Sequence, residues 1–341
     1  MSKKQFPISY LIANIRFPFF FKLTIYQNFK GKLKKILIEE VNKLIMIILV
    51  FKQENEYLNF SGESRDSMLY IAVGTKGVGK TYRTFQELKK YVLDDNTIGR
   101  VGRTVLILDA NDEFTTVPAL AYNVIDENEY KRVRSIQSLV GKKGIYRIRP
   151  LRIDKRPMSS EELKIACFDI CKHFSNGTIL LEDYNKYIQN KEATQLVSTI
   201  VTLRHKNVDM WIHLQSVAPI STKLWQNVNY LRFHKVNDKV DRIKHRIPYL
   251  LMKLAQLCVN YEYANKNKRF CCYVDIQLEK ILGVSEETFK QACLEYLSEN
   301  YQIINKLVNK VDLLSDSGKK YKNKKEAVKG YIMELKQKYF D

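Results

Sequence analysis

Gly74-Thr75-Lys76-Gly77-Val78-Gly79-Lys80-Thr81 fills the spacing G-x-x-x-x-G-K-[ST] at every fixed position. The chemistry follows from the residue types. Glycines let a backbone curl round phosphate oxygens with its N–H groups aimed inward and no Cβ in the way. In such a turn Lys80 reaches the β and γ phosphates of a triphosphate, and the Thr81 hydroxyl takes one position on Mg²⁺. The flanks match that geometry. The apolar run Met68-Leu-Tyr-Ile-Ala-Val73 ends directly at Gly74, and a helical pattern starts near Lys80. The turn therefore joins a strand to a helix, whose N-terminus adds partial positive charge. With those flanks in place a chance match on a surface loop is the weaker reading.

Hydrolysis of a triphosphate needs carboxylates as well, one for the hydrated magnesium and one to orient the attacking water. Thr178-Ile-Leu-Leu-Glu182-Asp183 offers both. A run of β-formers precedes two adjacent acids, which would lie at the carboxyl edge of the sheet, where ligands of open α/β folds bind. Glu182 is assigned to the metal shell beside Thr81, and Asp183 to water activation. Most enzymes of this kind have Asp before Glu, so the order here is reversed. Taken alone, the pair is equally an acidic loop after a core strand; downstream of an intact phosphate turn, the site is the better reading.

Bringing these groups to one edge requires a mainly parallel α/β sheet flanked by helices. From Met68 the pattern predicts strands over Leu69 to Val73, Thr104 to Asp109, Gly144 to Ile148, Thr178 to Glu182, Met210 to Gln215 and Tyr230 to His234. Helices are predicted over Lys80 to Leu93, Ser160 to Phe174, Glu192 to His205 and Ser221 to Asn227, with Ser160-Glu-Glu-Leu reading as a capped start. Three segments result: an N-terminal extension over 1–67, a core over 68–236, and a mostly helical, basic region over 237–341. The last holds one strand-like run, Phe270 to Ile276, and a lysine cluster at Lys319, Lys320, Lys322, Lys324 and Lys325 that reads first as a solvated arm.

Val105-Leu-Ile-Leu-Asp109-Ala-Asn-Asp-Glu113-Phe114 resembles the second-strand hhhDxxxE[FY] segment of FtsK/HerA translocases, a group that includes phage and viral genome-packaging ATPases and zonula occludens toxin-like phage proteins. Leu203-Arg204-His205, followed by Asp209-Met-Trp-Ile-His-Leu-Gln215-Ser, is similar to that family's arginine-bearing helix and the strand ending in a polar sensor. The resemblance spans roughly Met68 to Val236. It implies a RecA-like (ASCE) P-loop NTPase core with helical extensions, using ATP and Mg²⁺. It gives Gln215 the γ-phosphate, and Arg204 the role of a finger inserted into the neighbouring subunit's nucleotide; Arg232 competes for the finger. It further implies a homo-oligomeric ring with DNA in its pore, docked on a capsid vertex or a membrane protein, in the host cytoplasm or the virion. The toxin-like branch gives a second reading, a membrane-associated assembly or secretion ATPase. A small-molecule kinase would need a lid, and no arginine-rich lid is visible.

Composition fits this picture without deciding it. Lys and Arg number 57 against 37 Asp and Glu, a net +20, which attracts polyanions such as a nucleic acid; an A/T-rich coding sequence would inflate lysine equally. The six cysteines show no paired C-x-x-C spacing, which argues against a zinc site, and Cys167 with Cys171 reads as helix packing. In the N-terminal extension, Phe17 to Tyr26 is broken by Lys22, and Leu44 to Phe51 is too short to span a bilayer. Lys32 to Phe51 has helical spacing suited to a membrane or a neighbouring subunit. A helix packed on its own domain, or a true start at Met46 or Met68, is preferred.

Overall fold

The apolar runs of the core are continuous rather than alternating, the pattern of strands covered on both faces. In a computed structural model that describes residues 67–95, 101–188, 199, 203, 206–245, 247–309, 320–321 and 323–340, they form the centre of an eight-stranded sheet. The strands are β1 (Leu69–Val73), β2 (Thr104–Leu108), β3 (Gly144–Ile148), β4 (Gly177–Leu181), β5 (Val208–Leu214), β6 (Tyr230–His234), β7 (Cys271–Asp275) and β8 (Lys280–Leu282). Their order is β3-β2-β4-β5-β1-β6-β7-β8. The six from β3 to β6 pair in parallel; β7 and β8 are antiparallel additions. This is a RecA-like P-loop NTPase sheet, with β5 inserted between the strand that enters the glycine turn and the strand that ends at the acids. Asp66–Leu93 and Gly102–Asp341 form one compact unit; of the other unit only residues 94, 95 and 101 are described.

The described helices include α1 (Lys80–Val92), α2 (Glu129–Gln137), α3 (Ser160–His173), α4 (Thr222–Trp225), α5 (Tyr249–Ala264), α6 (Glu286–Glu299), α7 (Tyr301–Val308) and α8 (Lys324–Tyr339). Three details depart from expectation. The cap of α3 is Ser159, one residue earlier than predicted, because Glu162 can then return a hydrogen bond to the Ser159 backbone and close a capping box. Helix α2 was not predicted; only Val133 and Ile136 of it are buried, too few to leave an apolar period. The sheet also continues past Val236 through β7 and β8, covered by α5, whose run Leu251 to Val259 is wholly buried.

Cys167 and Cys171, both on the buried face of α3, are fully enclosed in the core. The expected helix over Glu192 to His205 lies outside the described residues except for Thr199 and Leu203, both helical, and the N-terminal extension lies outside them up to Asp66. Among the described residues no helix is long and apolar enough to cross a membrane.

Candidate active site

Parallel pairing of β1 with β5 and of β5 with β4 brings Gly74, Glu182 and Gln215 to the same carboxyl edge. The glycine turn begins as soon as β1 ends. Gly74 N donates to Leu214 O at 3.1 Å and Thr75 N to Lys235 O at 2.9 Å, which ties the turn to the ends of β5 and β6. Gly77 and Gly79 adopt φ of +84° and +86°, the left-handed region open to glycine at little cost. At Gly74 the need is space: a Cβ would lie 2.7 Å from His234 Cβ and 2.9 Å from Val78 Cγ2. Gly79 caps α1, and the aliphatic stem of Arg269 lies against it, 3.5 Å from where a Cβ would stand.

Lys80 opens α1 and is buried. Its ammonium donates to Gly74 O at 3.2 Å and Leu214 O at 3.1 Å, so it is held over the mouth of the turn. Burial lowers its pKa, opposed by the charges of Asp183, Glu182 and Glu113. Thr81 follows it on the first turn of α1, half-buried.

Across the edge, β4 ends at Leu181, so the acidic pair sits in the turn rather than in the strand. Glu182 is 2% exposed, and its N–H still pairs with Leu108 O at 3.2 Å. Asp183 takes φ +44°, ψ +48°, the left-handed region, uncommon for a non-glycine residue. Asn111 bridges the two acids, its Nδ2 donating to Glu182 Oε2 and Asp183 Oδ2, both at 2.7 Å. Lys186 donates to the Asn111 carbonyl oxygen, which fixes the orientation of the amide. Gln215 Nε2 donates to Asp183 Oδ2 at 3.2 Å and Oδ1 at 3.3 Å. Burial raises the Glu182 pKa to about 8, with Asp183 and then Glu113 adding to the effect. Asn111 had no role in the sequence reading, although it lies inside the quoted Asp109-to-Phe114 segment.

That segment is shaped by Asp109. Fully buried, Asp109 accepts from Glu113 N at 2.9 Å, Phe114 N at 3.0 Å and Arg147 Nη1 at 2.6 Å. It thereby sets the loop from which Asn111 grips the acids and Glu113 adds its charge to the fields at Lys80 and Glu182.

Behind the site runs a buried polar chain. Arg232 is 1% exposed, pairs with Glu87 at 2.5 Å, donates to Lys80 O at 3.1 Å and to Thr84 Oγ1, and lies 5.1 Å over the Trp211 ring. Its guanidinium is committed to its own subunit's core, which corrects its candidacy as a finger reaching a neighbour. Thr84 Oγ1 lies 2.7 Å from His213 Nε2. The other ring nitrogen, Nδ1, lies 3.8 Å from Glu182 Oε1. Burial, reinforced by Lys80 and Arg232, drops the His213 pKa well below its usual value, so this contact is not an ion pair. Arg204 lies outside the described residues.

Asp183 and Gln215 open onto a cleft of about 910 Å³ whose lining also includes Thr75, Lys76, Asn237, Asp238 and Arg242. A glycine turn that tolerates no Cβ, a buried ammonium and a set of hard oxygen donors suit a triphosphate with Mg²⁺.

No family profile and no curated protein matches the chain. Among solved structures, the genome packaging NTPase B204 from Sulfolobus turreted icosahedral virus 2, in complex with AMPPCP, is similar at 13% identity over 63% of this chain and 95% of that one, with a TM-score of 0.37. B204 described as the DNA-packaging ATPase from Sulfolobus turreted icosahedral virus matches at 12% identity over 65% and 100%, TM-score 0.39. The N-terminal domain of zonular occludens toxin from Neisseria meningitidis matches at 13% over 51% and 79%, TM-score 0.30.

Proposed function

We propose that this chain is a Mg-ATP-dependent motor that acts as a homo-oligomeric ring and moves DNA, packaging a phage or viral genome in the host cytoplasm or at the virion. The observation that carries the ATPase reading is the meeting, at one sheet edge, of the Gly74-to-Thr81 turn, Lys80, and the Asn111-bridged pair Glu182 and Asp183. The DNA reading is supported by the net +20 charge and by the likeness of the Asp109 to Glu113 segment to translocases.

In this reading the N–H groups of the turn and Lys80 hold the β and γ phosphates. Thr81 and Glu182 would hold Mg²⁺, which would supply charge neutralisation at the phosphoryl oxygens. Asp183, oriented by Asn111 and Gln215, takes up the proton of the attacking water, and Gln215 links that carboxylate to the γ-phosphate. Arg204 enters the next subunit's nucleotide.

The test is ATP hydrolysis with and without double- or single-stranded DNA, alongside electron microscopy of the particles. DNA-stimulated turnover by rings, absent in Lys80→Ala, is expected. Turnover indifferent to DNA, with strong partition into membranes, would overturn the motor in favour of a membrane-associated ATPase.

A further inference from the structure

One wall of the cleft comes from a segment that the sequence pattern leaves outside the core, the turn Val240–Ile243 after β6. The turn is pinned at nearly every position. Val240 and Ile243 are buried, and Val240 N donates to Oε1 of the buried Gln256 at 3.1 Å, whose Nε2 donates to Asp238 O at 2.7 Å. Asp238 Oδ2 accepts from Val217 N at 3.1 Å and Ala218 N at 3.2 Å, fastening the turn to the loop that follows Gln215. Asp241 accepts from Tyr249 OH at 2.7 Å and Lys253 Nζ at 3.1 Å.

Arg242 stands apart from this anchoring. It is exposed, it lines the cleft together with Thr75, Lys76, Asp183 and Gln215, and among the described residues its guanidinium has neither a hydrogen bond nor an ion pair. Asp241 accepts through both of its oxygens, and Asp238 through Oδ2, its buried Oδ1 having no partner among the described residues. A guanidinium on a fixed base, left without a partner and facing the same space as Lys76 of the glycine turn, is preorganised for an anion. Its companions in the lining identify the end of that anion. In the proposed function Asp183 and Gln215 flank the terminal phosphate, which the turn and Lys80 hold together with the β phosphate; a diphosphate lacks that end.

We propose that Arg242 binds the terminal phosphate of a nucleoside triphosphate held by its own subunit, so that the post-β6 turn distinguishes triphosphate from diphosphate. This rests on the ATP-site reading. It also places a second cation on the γ-phosphate, in cis, independent of any finger supplied by a neighbour.

Titrations of the full chain with Mg-ATPγS and with Mg-ADP, comparing wild type, Arg242→Ala and Arg242→Lys, decide it. Loss of a charge-assisted contact predicts an ATPγS affinity roughly tenfold or more weaker in Arg242→Ala, with ADP affinity within about twofold of wild type and Arg242→Lys between. If Arg242→Ala binds both nucleotides as wild type does, weakens both equally, or loses only DNA stimulation, the assignment is wrong while the glycine turn stands. If wild type binds neither nucleotide, the ATP-site reading itself falls, and this inference with it.

Discussion

Glu182 is a buried carboxyl whose charge is opposed by its surroundings, and that makes Glu182→Gln informative about the site without any substrate. The side chain is 2% exposed and its pKa is pushed up to about 8 from an ordinary 4.5, first by burial, then by Asp183 and Glu113. In the folded chain it therefore stays protonated where the unfolded chain has already released its proton. The stability this confers is fully present below about pH 4.5 and is lost as pH rises through about 8. At roughly 1.36 kcal/mol per unit, the cost of ionising it in place approaches ~5 kcal/mol at most. Glutamine never ionises and can still accept from Asn111, so the substitution removes that cost alone. Urea denaturation in the presence of a chelator should find variant and wild type nearly equal around pH 5, with the variant more stable by on the order of 3–5 kcal/mol around pH 9. A gap of constant size across that range would refute the buried, charge-crowded placement of Glu182.

Other predictions follow from the same geometry. Below about pH 8, binding of Mg-nucleotide should release a proton, seen as buffer-dependent calorimetric heat, and Glu182→Gln should abolish that release. Arg232→Ala removes one of the two cations on Glu87, which keeps Arg83 and Tyr273, and should cost about 1–3 kcal/mol in denaturation, and mixing it with wild type should merely dilute activity. Gly74→Ala forces a Cβ onto His234 and should cost about 1–3 kcal/mol in denaturation while weakening nucleotide binding. Arg204→Ala, if it is the finger, should poison wild-type activity beyond its share of the mixture; loss in simple proportion would assign the finger elsewhere.

The strands of the core were legible because each is a short, mostly apolar run between turn residues, and the six predicted ones fall within two residues of β1 to β6. The glycine turn was legible because its function is written in backbone freedom, which only a few residue types supply. What escaped depends on partners far apart in the chain. Asn111 looks like any loop asparagine until β2 and β4 pair and lay it across two carboxylates. Arg232 looks like an exposed arginine at a strand end until Glu87 and Trp211 close round it. The continuation of the sheet into β7 and β8 was half visible: the run at Phe270 to Ile276 was read as a strand, but β8, at three residues, is too short to show a period.

Calorimetric titration of a non-hydrolysable ATP analogue into the purified chain, with magnesium and with a chelator, and into Lys80→Ala, tests the central claim most directly. If turn and acids form one pocket, affinity will depend on magnesium, will collapse in Lys80→Ala, and both proteins will melt at similar temperatures. Binding that ignores magnesium and survives the loss of Lys80 would contradict it.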